Sequence, residues 1–129
     1  MTDYSVAPET EVEVVEGHEF VIIPTRGHRP YIEWQYPEFQ CLCPVSGRHD
    51  HGTLIIKYVP KDGILESKSV REYLAKWRNK RIWQEYVTEE IARTLYEACK
   101  PEYLVVEIEW APRGGIYSKT RAVMGQEKQ

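Results

Sequence analysis

The sequence predicts an α+β domain, an antiparallel sheet carrying two helices on one face in the order β-β-α-α-β-β. Three observations predict it. Residues 103–111 alternate, with Leu104, Val106, Ile108 and Trp110 to one side and Glu107 and Glu109 to the other. Residues 53–59 alternate in the same way, placing Leu54, Ile56 and Tyr58 on one face. Between these two runs the apolar spacing changes to three and four. Val70, Tyr73, Leu74 and Trp77 form one stripe, and Val87, Ile91, Leu95 and Ala98 form a second.

Residues 1–10 are polar and read as a loose arm. Residues 11–15 and 19–23 are extended, and together form a short hairpin or an edge addition turning at Glu16 and Gly17. After a loop at 24–30, residues 31–42 read as the first core strand, where Pro37 indicates an edge position or a bulge. The expected division is therefore an arm with short extended segments over 1–30 and one domain over 31–129. Residues 60–63 form a turn after the second strand. A helix capped by Ser67 or Ser69 then runs to about Asn79, and another from about Trp83 to Cys99. Thr88 and the glutamates favour the early turns of the second, and Pro101 ends it. A turn at 112–115 separates the third core strand from the last, at 116–124.

With 129 residues, 42% hydrophobic and 29% charged, the chain suits one domain with a modest core. A net charge of −3 gives no global signal for nucleic acid. No apolar run approaches membrane-spanning length and the first residues lack a signal-type stretch, so the expected location is cytoplasmic with no membrane partner. The three cysteines read as reduced thiols.

The chemistry concentrates in residues 39–50. Cys41 and Cys43 leave a strand, Pro44 stops it, and a turn at Ser46 and Gly47 leads to Asp50, seven residues after Cys43. A thiolate is the nucleophilic form of cysteine, and a turn rich in N–H groups beside Arg48 and His49 is an electropositive setting for one. Asp50 then serves as acid or base for the atom attacked. Two other readings stay open. A strand cysteine is also a small buried hydrophobe. Cys41, Cys43, His49 and His51 are all zinc-ligand types, although Cys-x-Cys is tighter than structural zinc spacing. Residues 66–81 hold Lys68, Arg71, Lys76, Arg78, Lys80 and Arg81, which read either as a solvated face or as an anion site. Arg113, followed by two glycines, is a second candidate anion contact.

These residues carry a resemblance. Leu42, Cys43 and Pro44 with Asp50; Glu66, Ser67, Lys68 and Ser69; Trp77, Arg78 and Asn79; Glu85; and the run from Ala111 to Ile116 follow one another at the spacing of a known family. The chain resembles the QueF family, the NADPH-dependent 7-cyano-7-deazaguanine nitrile reductases of queuosine biosynthesis, in their short single-module type. The resemblance covers about 37–125. It implies the tunnelling fold (T-fold), whose units assemble into an oligomeric barrel. Such rings stack, a decamer being one arrangement, with active sites between subunits.

The resemblance also implies roles. Cys43 attacks the nitrile and forms a thioimide, and Asp50 transfers protons. Glu85 and Gln84 bind the deazaguanine, with Glu66, Ser67 and Lys68 lining the pocket. Lys68, Arg71, Arg113 and Gly114 contact NADPH as co-substrate, no metal is expected, and the reductase reading implies no nucleic-acid partner. Three positions depart from the family pattern. Gln84 replaces its histidine, and glutamine cannot carry a proton. His49 replaces a common proline, and the family's usual lysine after Lys68 is Arg71. The alternatives are a QueF-like amidinotransferase, a purine- or pterin-binding ring protein without turnover, and a zinc-dependent tunnelling-fold enzyme.

Overall fold

The computed structural model describes residues 11–15 and 18–126. The alternating runs of the sequence become one four-stranded antiparallel sheet. Its strands are β3 (Ile32–Leu42), β4 (His49–Val59), β6 (Tyr103–Trp110) and β7 (Lys119–Gly125), in that spatial order. A second antiparallel sheet orders β1 (Glu11–Val15), β2 (His18–Pro24) and β5 (Gly63–Leu65). The helices are α1 (Ser67–Ala75), followed by a 3-10 turn at Lys76–Asn79, and α2 (Gln84–Cys99).

One face of the larger sheet makes the core. Leu54, Ile56 and Tyr58 from β4 and Leu104, Val106, Ile108 and Trp110 from β6 cluster with the expected stripes of α1 and α2. The helix pattern repeats every 3.6 residues and the strand pattern every two, so each element offers one apolar side and the two sides meet. The N-terminal hairpin is observed as β1 against β2, and β2 also pairs with β5. Phe20 and Ile22 of β2 lie in the common core, and the Val21 amide donates to Ser69 Oγ at 3.1 Å. The expected arm at 1–10 and the turn at Glu16 and Gly17 lie outside the described residues.

Several boundaries differ from expectation. The turn expected at 60–63 gives way at Gly63 to β5, a strand because β2 supplies the pairing partner. β4 starts at His49, not residue 53, so Asp50 sits on a strand, paired with Cys41. The cap of α1 is Glu66, not Ser67 or Ser69. Its carboxylate accepts from the Lys68 amide at 2.7 Å and the Ser69 amide at 2.8 Å. The α-helical hydrogen bonding stops at Ala75 and tightens to 3-10 before Asn79. α2 ends on Lys100 in the left-handed region (φ 48), one residue before Pro101. The last strand starts at Lys119, not 116. Pro37 fits both readings given to it: β3 is a terminal strand of its sheet, and its register with β4 shifts between Tyr36 and Phe39.

Gly52 shows how closely β4 and β6 approach. A Cβ there would lie 2.4 Å from the Glu109 carbonyl oxygen and 2.9 Å from Trp110 Cα. Both are backbone atoms, which cannot rotate away. Gly52→Ala is expected to destabilise the fold by about 1–3 kcal/mol, as overpacking does, measured by urea unfolding. An unchanged midpoint would mean that the strands can part without cost.

Candidate active site

The pleat of β3 turns Phe39 and Cys41 inward, and both are fully buried. The strand ends at Leu42, where the chain closes a turn. The Cys43 amide donates to the Arg48 carbonyl at 2.8 Å, and the Gly47 amide to the Cys43 carbonyl at 2.9 Å. Gly47 takes φ 73, which glycine adopts without strain. Within this turn the Ser46 amide, the Ser46 hydroxyl and the Val45 amide hydrogen-bond the sulfur and hold the Cys43 thiol below its ordinary pKa, against smaller opposing effects of burial and Asp50. Arg48 and His49, the expected electropositive neighbours, are not the cause; backbone N–H groups and Ser46 are. The other two thiols differ sharply. Burial, then Asp50 and Cys43, push Cys41 up to about 12. Burial pushes Cys99 up to about 12 as well.

Asp50 is buried on β4. Arg113 donates from Nη1 to its Oδ1 at 2.5 Å and reaches the His49 carbonyl at 3.4 Å. A two-residue reversal holds Arg113, with paired bonds between Arg113 and Ile116 across Gly114 (φ 58) and Gly115 (φ 81). Positive φ at both central positions is the hairpin geometry that glycine suits. Arg113, expected at a cofactor phosphate, therefore sits on Asp50, and Gly114 is an exposed turn residue. Strand alternation sends His49 and His51 to the face opposite Asp50, and both are exposed. Among the described residues no group of three or more His, Cys, Asp or Glu could hold a metal ion.

A short parallel bridge joins this turn to α2. The Leu42 amide donates to the Lys80 carbonyl at 2.9 Å, and the Ile82 amide to the Leu42 carbonyl at 3.1 Å. Arg81, between them, donates from Nη1 to the Pro44 carbonyl at 3.3 Å. Its Nη2 lies 2.6 Å from where a Cβ on Gly47 would be, so the guanidinium covers the cysteine turn. Sequence reasoning saw Arg81 only as part of a basic run. Gln84 opens α2, and Glu85 is exposed in its first turn. Glu85 lines a groove of about 400 Å³ with Thr88, Glu89, Thr120, Arg121 and Met124.

At the start of α1, Glu66 spends its carboxylate on the cap, and Lys68 and Arg71 are exposed. Ser67 and Arg71 line a second groove, of about 320 Å³, with Glu33, Trp34, Tyr36 and Leu74. The expected site residues thus fall into three places. Cys43, Asp50 and Arg113 lie around the β3–β4 connection, Gln84 and Glu85 at the start of α2, and Glu66, Ser67, Lys68 and Arg71 at the start of α1.

Comparison with known proteins gives this arrangement its relatives. A family model described as QueF-like protein matches residues 49–129. The NADPH-dependent 7-cyano-7-deazaguanine reductase of Aquifex aeolicus is 43% identical over 90 residues, covering 70% of this chain and 70% of that protein. The chain belongs to the QueF family. The reductase of the same name from Wolinella succinogenes is 34% identical over 111 residues, 85% of this chain and 90% of that protein. A crystal structure of the apo form of the archaeosine synthase QueF-Like superposes with a TM-score of 0.67 at 17% identity, covering 78% of this chain and 96% of that one. The expected α+β architecture of the QueF family is therefore observed in the single chain. No helix among the described residues is long and apolar enough to cross a membrane.

Proposed function

We propose that this chain is an NADPH-dependent nitrile reductase that converts 7-cyano-7-deazaguanine to 7-aminomethyl-7-deazaguanine, and that Cys43 carries the substrate as a thioimide. One observation supports this above the rest. Of the three cysteines, Cys43 alone is partly exposed and lowered in pKa, and it lies close enough to Asp50 to feel its charge. That is the setting an attacking thiolate needs.

In this reading the Cys43 sulfur adds to the nitrile carbon, and Asp50 passes a proton to the nitrogen. Arg113 pairs with the Asp50 carboxylate and fixes its position. Glu85 accepts from the ring N–H and exocyclic amine of the base, with Gln84 beside it. NADPH, when bound, would supply two hydrides, which with the proton from Asp50 and one more give the amine and return the thiolate. The residues fit such a cofactor: Lys68 and Arg71 are exposed cations beside a groove whose wall includes Trp34 and Tyr36. Glu66 shapes that end of α1 through its cap, and Ser67 edges the groove. Gly114 serves the site by permitting the turn that carries Arg113. The reaction is expected in the cytoplasm. We further place the working form in a homo-oligomeric ring with sites between subunits. The terminal position of β3 in its sheet and the exposure of Ile116 and Tyr117 next to Arg113 support that assembly.

The test mixes protein, 7-cyano-7-deazaguanine and NADPH, and follows NADPH absorbance and product mass. Two NADPH should disappear per amine formed. Lys68→Ala and Arg71→Ala should raise the apparent constant for NADPH more than for NADH, which lacks the 2′-phosphate, and the loss should grow with salt. An adduct that NADPH never discharges would replace this reading with amine transfer or simple base binding.

A further inference from the structure

Three hydrogen bonds run in one direction behind Glu85. Trp110 Nε1 donates to Thr120 Oγ1 at 3.0 Å. Thr88 Oγ1 donates to the Gln84 carbonyl at 2.8 Å, which uses its single proton. The 2.6 Å contact between the two threonine hydroxyls is therefore donated by Thr120. An indole N–H only donates and a carbonyl only accepts, so the order cannot reverse. Trp110 and Thr88 are buried, at 1% and 2% exposure, so no solvent competes at either.

Both threonines line the groove that contains Glu85. Both protons are consumed within the chain of bonds, so Thr120, the more exposed of the two, offers the groove a lone pair and no proton. Glu85 adds two carboxylate oxygens. We propose that Trp110, Thr120 and Thr88 are positioning residues that fix the first turn of α2 and leave the side of the groove next to Glu85 accepting only, Arg121 on the other side being paired with Glu107. The groove then selects a base edge rich in N–H donors over one that presents a carbonyl. The inference rests on the reading of Glu85 as the carboxylate that takes the guanine-like edge.

Calorimetry in a Cys43→Ala background compares two probes: 7-cyano-7-deazaguanine and its analogue with a carbonyl in place of the 2-amino group. Thr88→Val keeps the shape, breaks the chain and frees the Thr120 proton to turn outward. It should lower the preference for the amino compound by about fivefold, the worth of one hydrogen bond. Thr88→Ser should restore it. If Thr88→Val does not fold, Thr88→Ala, which also frees the Thr120 proton, makes the same comparison. Equal weakening of both probes would reduce the chain to a structural role and overturn the inference. An unchanged preference would overturn it too, while Glu85→Gln, still weakening the amino compound, would leave the base-binding reading intact. If Glu85→Gln changes neither probe, the reading fails and the inference with it.

Discussion

Replacing Cys43 with alanine is expected to abolish both the covalent adduct with 7-cyano-7-deazaguanine and all turnover. Wild-type protein given the nitrile without NADPH should gain the mass of one ligand per active chain. Cys43→Ala should gain none, and Cys41→Ala and Cys99→Ala should behave as wild type. Thiol acidity is the reason. The Ser46 and Val45 N–H groups favour the Cys43 thiolate, while burial keeps the other two thiols protonated to about 12. A lowered pKa means that the thiolate fraction, and with it the adduct rate, rises with pH and levels off earlier than for an ordinary cysteine. Thiol reagent at neutral pH should modify Cys43 quickly and the other two only on unfolding. An adduct that survives Cys43→Ala would sink the assignment.

Asp50→Asn should lower turnover by about a hundredfold to ten-thousandfold, the usual weight of a positioned acid-base group. Asparagine fills the same space and can still accept from Arg113, but it holds no proton to give. Arg113 is more than a third exposed, so water can compensate the lost partner charge, and the melting temperature should fall little. Mass spectrometry and steady-state rates together check this. Turnover near wild type would make Asp50 an anchor for Arg113 and nothing more.

The parts of the fold that were readable before the structure are those in which local pattern and tertiary packing agree. β6, the inward face of β4 and the stripes of both helices carry their periods in the chain itself. β5 carries none. Its three residues become a strand only because β2 lies alongside, and a partner some forty residues away leaves no local trace. The first four residues of β4, His49, Asp50, His51 and Gly52, lack an apolar pattern, and they extend because they pair with 39–42. Glu66 was missed as a cap because serine is the commoner capping residue, while a carboxylate can take two amides at once.

The site divides in the same way. The spacing of Cys43 to Asp50 was legible, because a short connection between paired strands fixes it. The source of the thiol's acidity was not: backbone N–H groups have no letter in the sequence, and Ser46 looked like turn filler. Arg113 was legible as an anion contact, but charge alone cannot say whether the anion is a phosphate or Asp50. The hydroxyl chain through Thr88 and Thr120 was invisible, because it joins residues 32 positions apart.

The Leu42 bridge has a consequence for how the site spends entropy. The cysteine turn follows Leu42 directly, and Glu85 comes three residues after Ile82, so two backbone bonds lash nucleophile and base reader to one frame. With Arg81 folded over Pro44 and Gly47, neither segment can drift without breaking bonds that folding has already made. On the proposed roles, the cost of bringing sulfur and carboxylate into mutual alignment falls on the folding of the chain, and an arriving ligand meets an arrangement that is already set.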